Sequence, residues 1–254
     1  MTIGVWLIGA RGNVASISMT GARAISRGVV DSTGMVTARE PMASLDLPAV
    51  DDLVFGGHDI REQSIEETVE EANEAGGVPD TKTLDAVRED LREIDERVTM
   101  GTARKCGQVV EDLSDDAVTG EGTLDEIVSQ IRSDYEAFAT EQDVDKLVVV
   151  NVASTEPPIK GDTEFDTLDK LETAIEEDDS DLPASSLYAY AALVDEHPYV
   201  NFTPSTGSAL GGLRELAVEN NVPHMGRDGK TGETLVKSAL APMFAGRNLQ
   251  VLSW

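Results

Sequence analysis

The sequence predicts an α/β protein, a mostly parallel sheet with helices on both faces. Three observations carry this. The chain opens on an apolar run, Ile3 to Ile8, that breaks at Gly9, turns through Gly12 and enters a helix-compatible segment reaching about Arg27. Lys146-Leu147-Val148-Val149-Val150-Asn151-Val152 is nearly all apolar, as suits a strand covered on both faces. Elsewhere, short apolar runs alternate with segments whose apolar residues step by three and four.

Taken in order, the first strand and helix are followed by Gly28 to Pro48, a connection rich in helix breakers. Leu53 to Ile60 reads as the second strand, ending in a glycine turn. Ser64 and Glu67 form a capping box for a short acidic helix that stops at Gly76-Gly77. Leu84, Val87, Leu91, Ile94 and Val98 make the apolar stripe of a longer helix. Residues 100–122 carry no clear pattern. Thr123 and Glu126 then cap a helix whose face runs through Leu124, Ile127, Val128, Ile131, Tyr135 and Phe138. After the strand at 146–152, the acidic run Glu176 to Asp179 reads as a solvated turn interrupting a helical region. Helices follow at Ala184 to Glu196 and Gly207 to Asn221, with a short strand at Tyr199 to Phe202 between them. Val222 to Met225 precedes a turn, a helix from about Lys230 to Phe244, and a last strand at Leu249 to Leu252.

Composition narrows the function. The 254 residues include 20 Lys and Arg against 48 Asp and Glu, a net charge of −28. That charge repels nucleic acid and anionic membranes, so neither is an expected partner. The apolar fraction is an ordinary 40%, so the chain is globular rather than a disordered acidic tail. The surplus carboxylates belong on the surface. Scarce lysine and acid on nearly every helix resemble proteins of salt-accumulating halophilic archaea, where molar salt screens charge within about 3 Å. A single cysteine, Cys106, excludes an intrachain disulfide and reads as a small packing residue. His58, His197 and His224 are too scattered to read as metal ligands. No apolar stretch approaches the roughly 18 residues of a membrane span, and the start carries no leader pattern, so a soluble cytoplasmic protein is expected.

Four segments follow strands: Gly9 to Val14, Gly57 to Ile60, Asn151 to Pro157 and Asn201 to Ser205. In a parallel sheet such ends cluster on one edge and can line one elongated site. The first has the parts of a Rossmann-like dinucleotide-binding unit: a buried strand, a tight glycine turn, and a helix N-terminus whose free N–H groups suit a pyrophosphate. Its spacing, Gly-x-x-Gly-x-Val-Ala, also suits a strand-to-helix turn in another α/β protein. Asp59 fits a ribose hydroxyl, or equally the N-cap of a following helix. It lies much further from Gly12 than the roughly twenty residues usual for that role, so an insertion separates the first two strands or Asp59 belongs to a later one. Met225 to Thr234 sets Lys230 between two glycines at a helix start, either an anion cradle or a plain turn into a capped helix.

Gly226-Arg227-Asp228-Gly229-Lys230-Thr231-Gly232-Glu233-Thr234-Leu235-Val236-Lys237 resembles the signature of archaeal-type myo-inositol-1-phosphate synthases. The resemblance extends to Gly9 to Ala15, to Gly56-Gly57-His58-Asp59-Ile60 (where the family usually has Trp at the third place), to Asn151 to Glu156, and to Tyr199 to Ser205. These motifs occur in family order along the whole chain. The resemblance implies an isomerase that acts on D-glucose 6-phosphate with bound NAD, oxidising C5, closing the ring by an aldol step and reducing the product. It places Gly9, Arg11, Gly12, Asn13 and Val14 at the pyrophosphate, Asp59 at the adenosine ribose, and Ser154 and Thr155 beside the dinucleotide. Asn151 and Asn201 join them as cofactor-side residues. Asp228 corresponds to a family carboxylate at the nicotinamide, and Lys230 sits beside it as the second catalytic candidate. A charged lysine there keeps Asp228 ionised.

The family's further lysines, its metal-associated aspartate and the sheet that builds its tetramer lie, by this resemblance, beyond Trp254. The expectation is one NAD-binding domain over residues 1–254, running into the start of a catalytic and tetramerisation domain. Two other readings stay open: an NAD-binding module without turnover, and an ordinary NAD-dependent dehydrogenase.

Overall fold

The computed structural model describes residues 1–114, 122–159, 162–178, 181–229 and 232–253. Six strands form one parallel sheet: β1 (Ile3–Ile8), β2 (Leu53–Asp59), β3 (Val98–Met100), β4 (Lys146–Asn151), β5 (Tyr199–Asn201) and β6 (His224–Met225). Their spatial order is β3-β2-β1-β4-β5-β6. This is the doubly wound order, with the connections diverging between β1 and β4.

Side chains alternate across β1 with the period of a strand. Trp6 and Ile8 join Leu147, Val149 and Tyr199 against α5 (Leu124–Glu141), α6 (Leu168–Glu176), α7 (Ala184–Val194) and α8 (Gly211–Glu219). Val5 and Leu7 join Phe55 on the opposite face. They pack there against α1 (Asn13–Ser26), α2 (Ile65–Gly76) and α3 (Thr81–Asp95). Two short-range elements complete the set, α4 (Gln108–Glu111) and α9 (Gly232–Gly246). Among the described residues, no helix is long and apolar enough to cross a membrane.

The capping signals hold atom by atom. Ser64 accepts from Glu67 N–H while the Glu67 carboxylate accepts from Ser64 N–H, and Thr123 and Glu126 repeat the arrangement. Gly77 ends α2 in the left-handed conformation, φ 69°. The breaker-rich connection between α1 and β2 contains three single 3-10 turns, Val36–Ala38, Met42–Ser44 and Val50–Asp52. It is the insertion that lengthens the spacing from Gly12 to Asp59.

Three local expectations change. Val98 continues the helical stripe in spacing, yet it pairs with Gly57 in β3 because α3 has already ended at Asp95 and a strand edge offers backbone partners. Leu249 to Leu252 forms no strand: β6 is a two-residue edge, the segment pairs with nothing in the sheet, and Leu252 is 87% exposed. In the acidic run, Asp178 is more than a solvated turn. Its carboxylate accepts the N–H of Leu124 at 2.9 Å, satisfying a free donor at the start of α5.

Candidate functional site

The register explains why the strand ends meet. Ile8 lies level with His58 on one side and Asn151 on the other, and Asn151 lies level with Asn201. The segments that follow these residues therefore leave the sheet at one height. They border a cleft of about 330 Å³ at the divide between β1 and β4.

The glycine turn is held on both sides. Gly9 takes φ 84°, and a Cβ there would lie 2.8 Å from the Cα of Ala153. Only glycine lets the two chains approach so closely. The N–H groups of Gly9 and Ala10 both donate to the carbonyl of His58, at 2.8 and 3.1 Å, and Gly12 N–H donates to Gly9 O. Gly12 is also the N-cap of α1. It brings no side-chain cap, and the first turn holds no acidic residue. Helices α2, α3 and α5, by contrast, are capped by Ser64, Asp80 and Thr123. The free N–H groups and positive dipole end of α1 thus remain available, with Gly12, Asn13 and Val14 on the cleft wall.

Asp59 is 5% exposed and ends β2. Its Oδ2 accepts Arg11 N–H at 2.7 Å; its Oδ1 accepts Ile60 N–H and Arg61 N–H at 2.8 and 3.1 Å. The helix-cap alternative is overturned, because Ser64 caps the next helix. Asp59 ties the glycine turn to the end of β2. Among the described residues the buried carboxylates are Asp59 and Glu156, and both line this cleft. The other acidic residues whose burial is described lie partly or fully exposed.

Asn151 and Asn201, neighbours across β4 and β5, perform the same local task. Asn151 Oδ1 accepts Ala153 N–H at 3.0 Å, and Asn201 Oδ1 accepts Thr203 N–H at 2.9 Å. Each side chain folds the backbone back two residues on, so both loops turn as they leave the sheet. Asn201 Nδ2 also donates to Ser205 O, and Ser205 Oγ accepts Glu156 N–H.

Of the sequence-stated candidates, Gly9, Gly12, Asn13, Val14, Asp59, Asn151 and Ser154 line the cleft. Arg11, Thr155 and Asn201 do not: Arg11 turns to Asp95, Thr155 is exposed, and Asn201 is buried beneath its loop. Asp228 follows β6, and the neighbouring Gly229 N–H donates to Phe202 O at 3.0 Å, anchoring this turn beside the end of β5. It too lies off the cleft wall. Lys230 lies outside the described residues.

Glu156 and Tyr188 escaped the sequence reading, whereas Cys106 is the packing residue it was expected to be. Glu156 is buried from a loop, yet it caps α7: Ser185 donates to it through both N–H (2.8 Å) and Oγ, where the helix itself offers only Pro183. Burial pushes its carboxyl above the ordinary range despite the Ser185 bonds that hold the charge. The Cys106 thiol lies 3.6 Å from Glu156 Oε1, and burial beside that carboxylate pushes it far up, so it is an unreactive packing group. Tyr188 accepts Thr102 N–H at 2.8 Å, closing the cleft behind β3. Only the run Asn151 to Glu156 hinted at the Glu156 role, because the partners are brought together from two loops and the start of α7.

His58 is enclosed. Its Nδ1 accepts from Trp6 Nε1 at 2.8 Å and its Nε2 meets Asp134 Oδ2 at 2.9 Å. Burial holds its pKa below the usual histidine value, with Asp134 opposing.

Residues 3–246 match the NAD-binding family model described as myo-inositol-1-phosphate synthase. The chain is 30% identical to inositol-3-phosphate synthase 1 of Bacteroides thetaiotaomicron, over 99% of this chain and 60% of that protein. It is 29% identical to inositol-3-phosphate synthase of Brassica napus, over 93% and 45% respectively. Among solved structures, inositol-3-phosphate synthase of Caenorhabditis elegans shares the fold with a TM-score of 0.81 at 20% identity, covering 97% of this chain and 53% of that one. A myo-inositol-1-phosphate synthase-related protein from Thermotoga maritima gives 0.69 at 24% identity, over 98% and 60%. The chain thus spans between 45% and 60% of the length of these relatives. Matched along nearly all of its residues, it belongs to the myo-inositol-1-phosphate synthase family, and NAD is the dinucleotide that its Rossmann-like domain serves.

Proposed function

We propose that this chain holds NAD for the conversion of D-glucose 6-phosphate to 1L-myo-inositol 1-phosphate. One observation carries the reading: the N-terminus of α1 is uncapped, free of acid, and opens on a cleft at the β1/β4 divide. In this proposal the N–H groups of Asn13 and Val14 receive the pyrophosphate, and Gly9 and Gly12 let it approach. Asp59 Oδ2, which carries one backbone donor, accepts a further bond from the adenosine ribose. Ser154 and Thr155 flank the dinucleotide, while Asn151 turns the loop that carries them and Asn201 turns the neighbouring loop after β5.

Bound NAD supplies the hydride acceptor and donor. Asp228 and Lys230 serve the reacting end, the lysine keeping the aspartate ionised and offering a cation to the substrate phosphate. The acidic surface suits concentrated salt, and the full-length family's tetramer and a cytoplasmic setting complete the proposal.

The test is calorimetric titration of the folded chain with NAD⁺ in molar KCl, followed by assay of inositol phosphate from glucose 6-phosphate. Saturable NAD⁺ binding is the expected result, and a folded chain without it overturns the proposal. Inositol phosphate formed by these 254 residues would extend the reading to full turnover. Accumulating NADH would instead favour an ordinary dehydrogenase, since the synthase reaction returns its hydride.

A further inference from the structure

The geometry points to Arg11 as a staple for the glycine turn rather than a cation for the pyrophosphate, with Asp95 as its positioning partner. This rests on the dinucleotide reading and deepens it.

Arg11 sits between Gly9 and Gly12, where a cation invites assignment to phosphate. Its guanidinium turns the other way. Nε donates to Asp95 Oδ1 at 2.9 Å and one terminal nitrogen to Asp95 Oδ2 at 3.1 Å, a two-pronged pair, while the other terminal nitrogen donates to Arg61 O at 2.8 Å. The Arg11 side chain is only 12% exposed. Its backbone is held as firmly: N–H donates to Asp59 Oδ2, and C=O accepts from Thr68 Oγ1 and an Arg61 terminal nitrogen at 2.9 and 2.6 Å. Asp95 Oδ1 also accepts Ile65 N–H at 3.1 Å, tying the same carboxylate to the start of α2.

One residue therefore joins the glycine turn to the end of β2, to α2 and to the end of α3. Reaching for a phosphate would break a largely buried, bidentate ion pair and strand the Asp95 charge, which is strongly unfavourable. The affinity contributed by Arg11 comes instead through the N–H groups of the turn, which it holds ready for an anion. Arg61 is then the one Lys or Arg among the described residues that line the cleft.

The experiment compares Asp95→Asn, Arg11→Met and the double variant in molar KCl. NAD⁺, ADP-ribose and adenosine are the ligands, and exchange of the Arg11 amide is followed in the ligand-free protein. The expected result is that each single variant binds NAD⁺ and ADP-ribose about tenfold more weakly, and the double variant no more than about tenfold, because the two residues act as one unit. Adenosine, which lacks the pyrophosphate, should bind within about twofold of the parent chain, and Arg11 amide exchange should quicken in Asp95→Asn. Thr68→Val, a milder change to the same staple, should shift NAD⁺ affinity in the same direction.

Tighter or unchanged NAD⁺ binding by Asp95→Asn overturns the inference, because freeing the guanidinium would then help the phosphate or make no difference. Equal losses for adenosine overturn it as well, since that pattern is general damage. If the parent chain binds no NAD⁺, the dinucleotide reading itself fails, and the exchange rates still report whether Asp95 holds the turn.

Discussion

Trp6 Nε1 donates to His58 Nδ1 at 2.8 Å, and this bond decides the state of the imidazole. An indole N–H can only donate, so Nδ1 must be an acceptor and the ring proton sits on Nε2, facing Asp134. A second proton would set two donors against each other inside a buried cluster that also holds Tyr135 and Tyr188. His58 accordingly stays neutral. Its carbonyl is the acceptor for the glycine turn, so the same residue joins the core to the cleft.

The neutral ring makes stability fall with acid. Burial holds the folded pKa of His58 below the ordinary histidine value of 6.5, so between those two values the unfolded chain binds the extra proton. Its contribution is full above about pH 6.5 and is lost as pH falls through the folded pKa. Denaturant unfolding in molar KCl at several pH values should show this slope. In His58→Gln it should flatten by up to ~1.4 kcal/mol per pH unit, and an unchanged slope would remove His58 as its source.

Gly9→Ala should damage fold and site together. The new methyl group meets the Ala153 backbone in a conformation that alanine rarely adopts. A loss of about 1–3 kcal/mol is expected, with NAD⁺ affinity reduced because the turn must shift. Wild-type melting and affinity in this variant would contradict the close approach of the two strand ends.

Glu156→Ala should leave Ser185 N–H and Oγ without their acceptor and cost about 1–2 kcal/mol, a lost helix cap. Glu156→Gln tests the charge. Because burial raises the folded pKa above the ordinary glutamate value of 4.5, the ionised group opposes folding, and its stability is present at low pH and lost as pH rises through the folded pKa. The glutamine variant should lose that dependence. An identical pH profile for both proteins would show that the carboxylate does not titrate in that window.

Salt should matter more than any single residue. With a net charge of −28, self-repulsion is screened within about 3 Å in molar salt but reaches about 10 Å at 0.1 M. The melting temperature should climb steeply with KCl, and a value independent of salt would sink the halophilic reading.

Most of the element order, apart from β3 and the strand expected at Leu249 to Leu252, is local, as are the strand–glycine–helix start and the capping boxes at Ser64 and Thr123. Apolar periodicity and the hydrogen-bonding reach of a side chain over three residues suffice to write them into a linear chain. Near neighbours in the sequence therefore specified the α/β class and the strand ends that meet at the cleft. The partners of Arg11, Glu156 and His58 were not legible in the same way. Asp95, Ser185 and Asp134 lie 84, 29 and 76 residues away, beyond any local pattern. Even the direction of the Arg11 side chain, towards phosphate or towards α3, depended on which carboxylate folding brought within 3 Å. Local physics chose the elements, whereas the ionisation of His58 and the burial of Glu156 followed from packing, because charge and desolvation depend on whatever surrounds an atom in space.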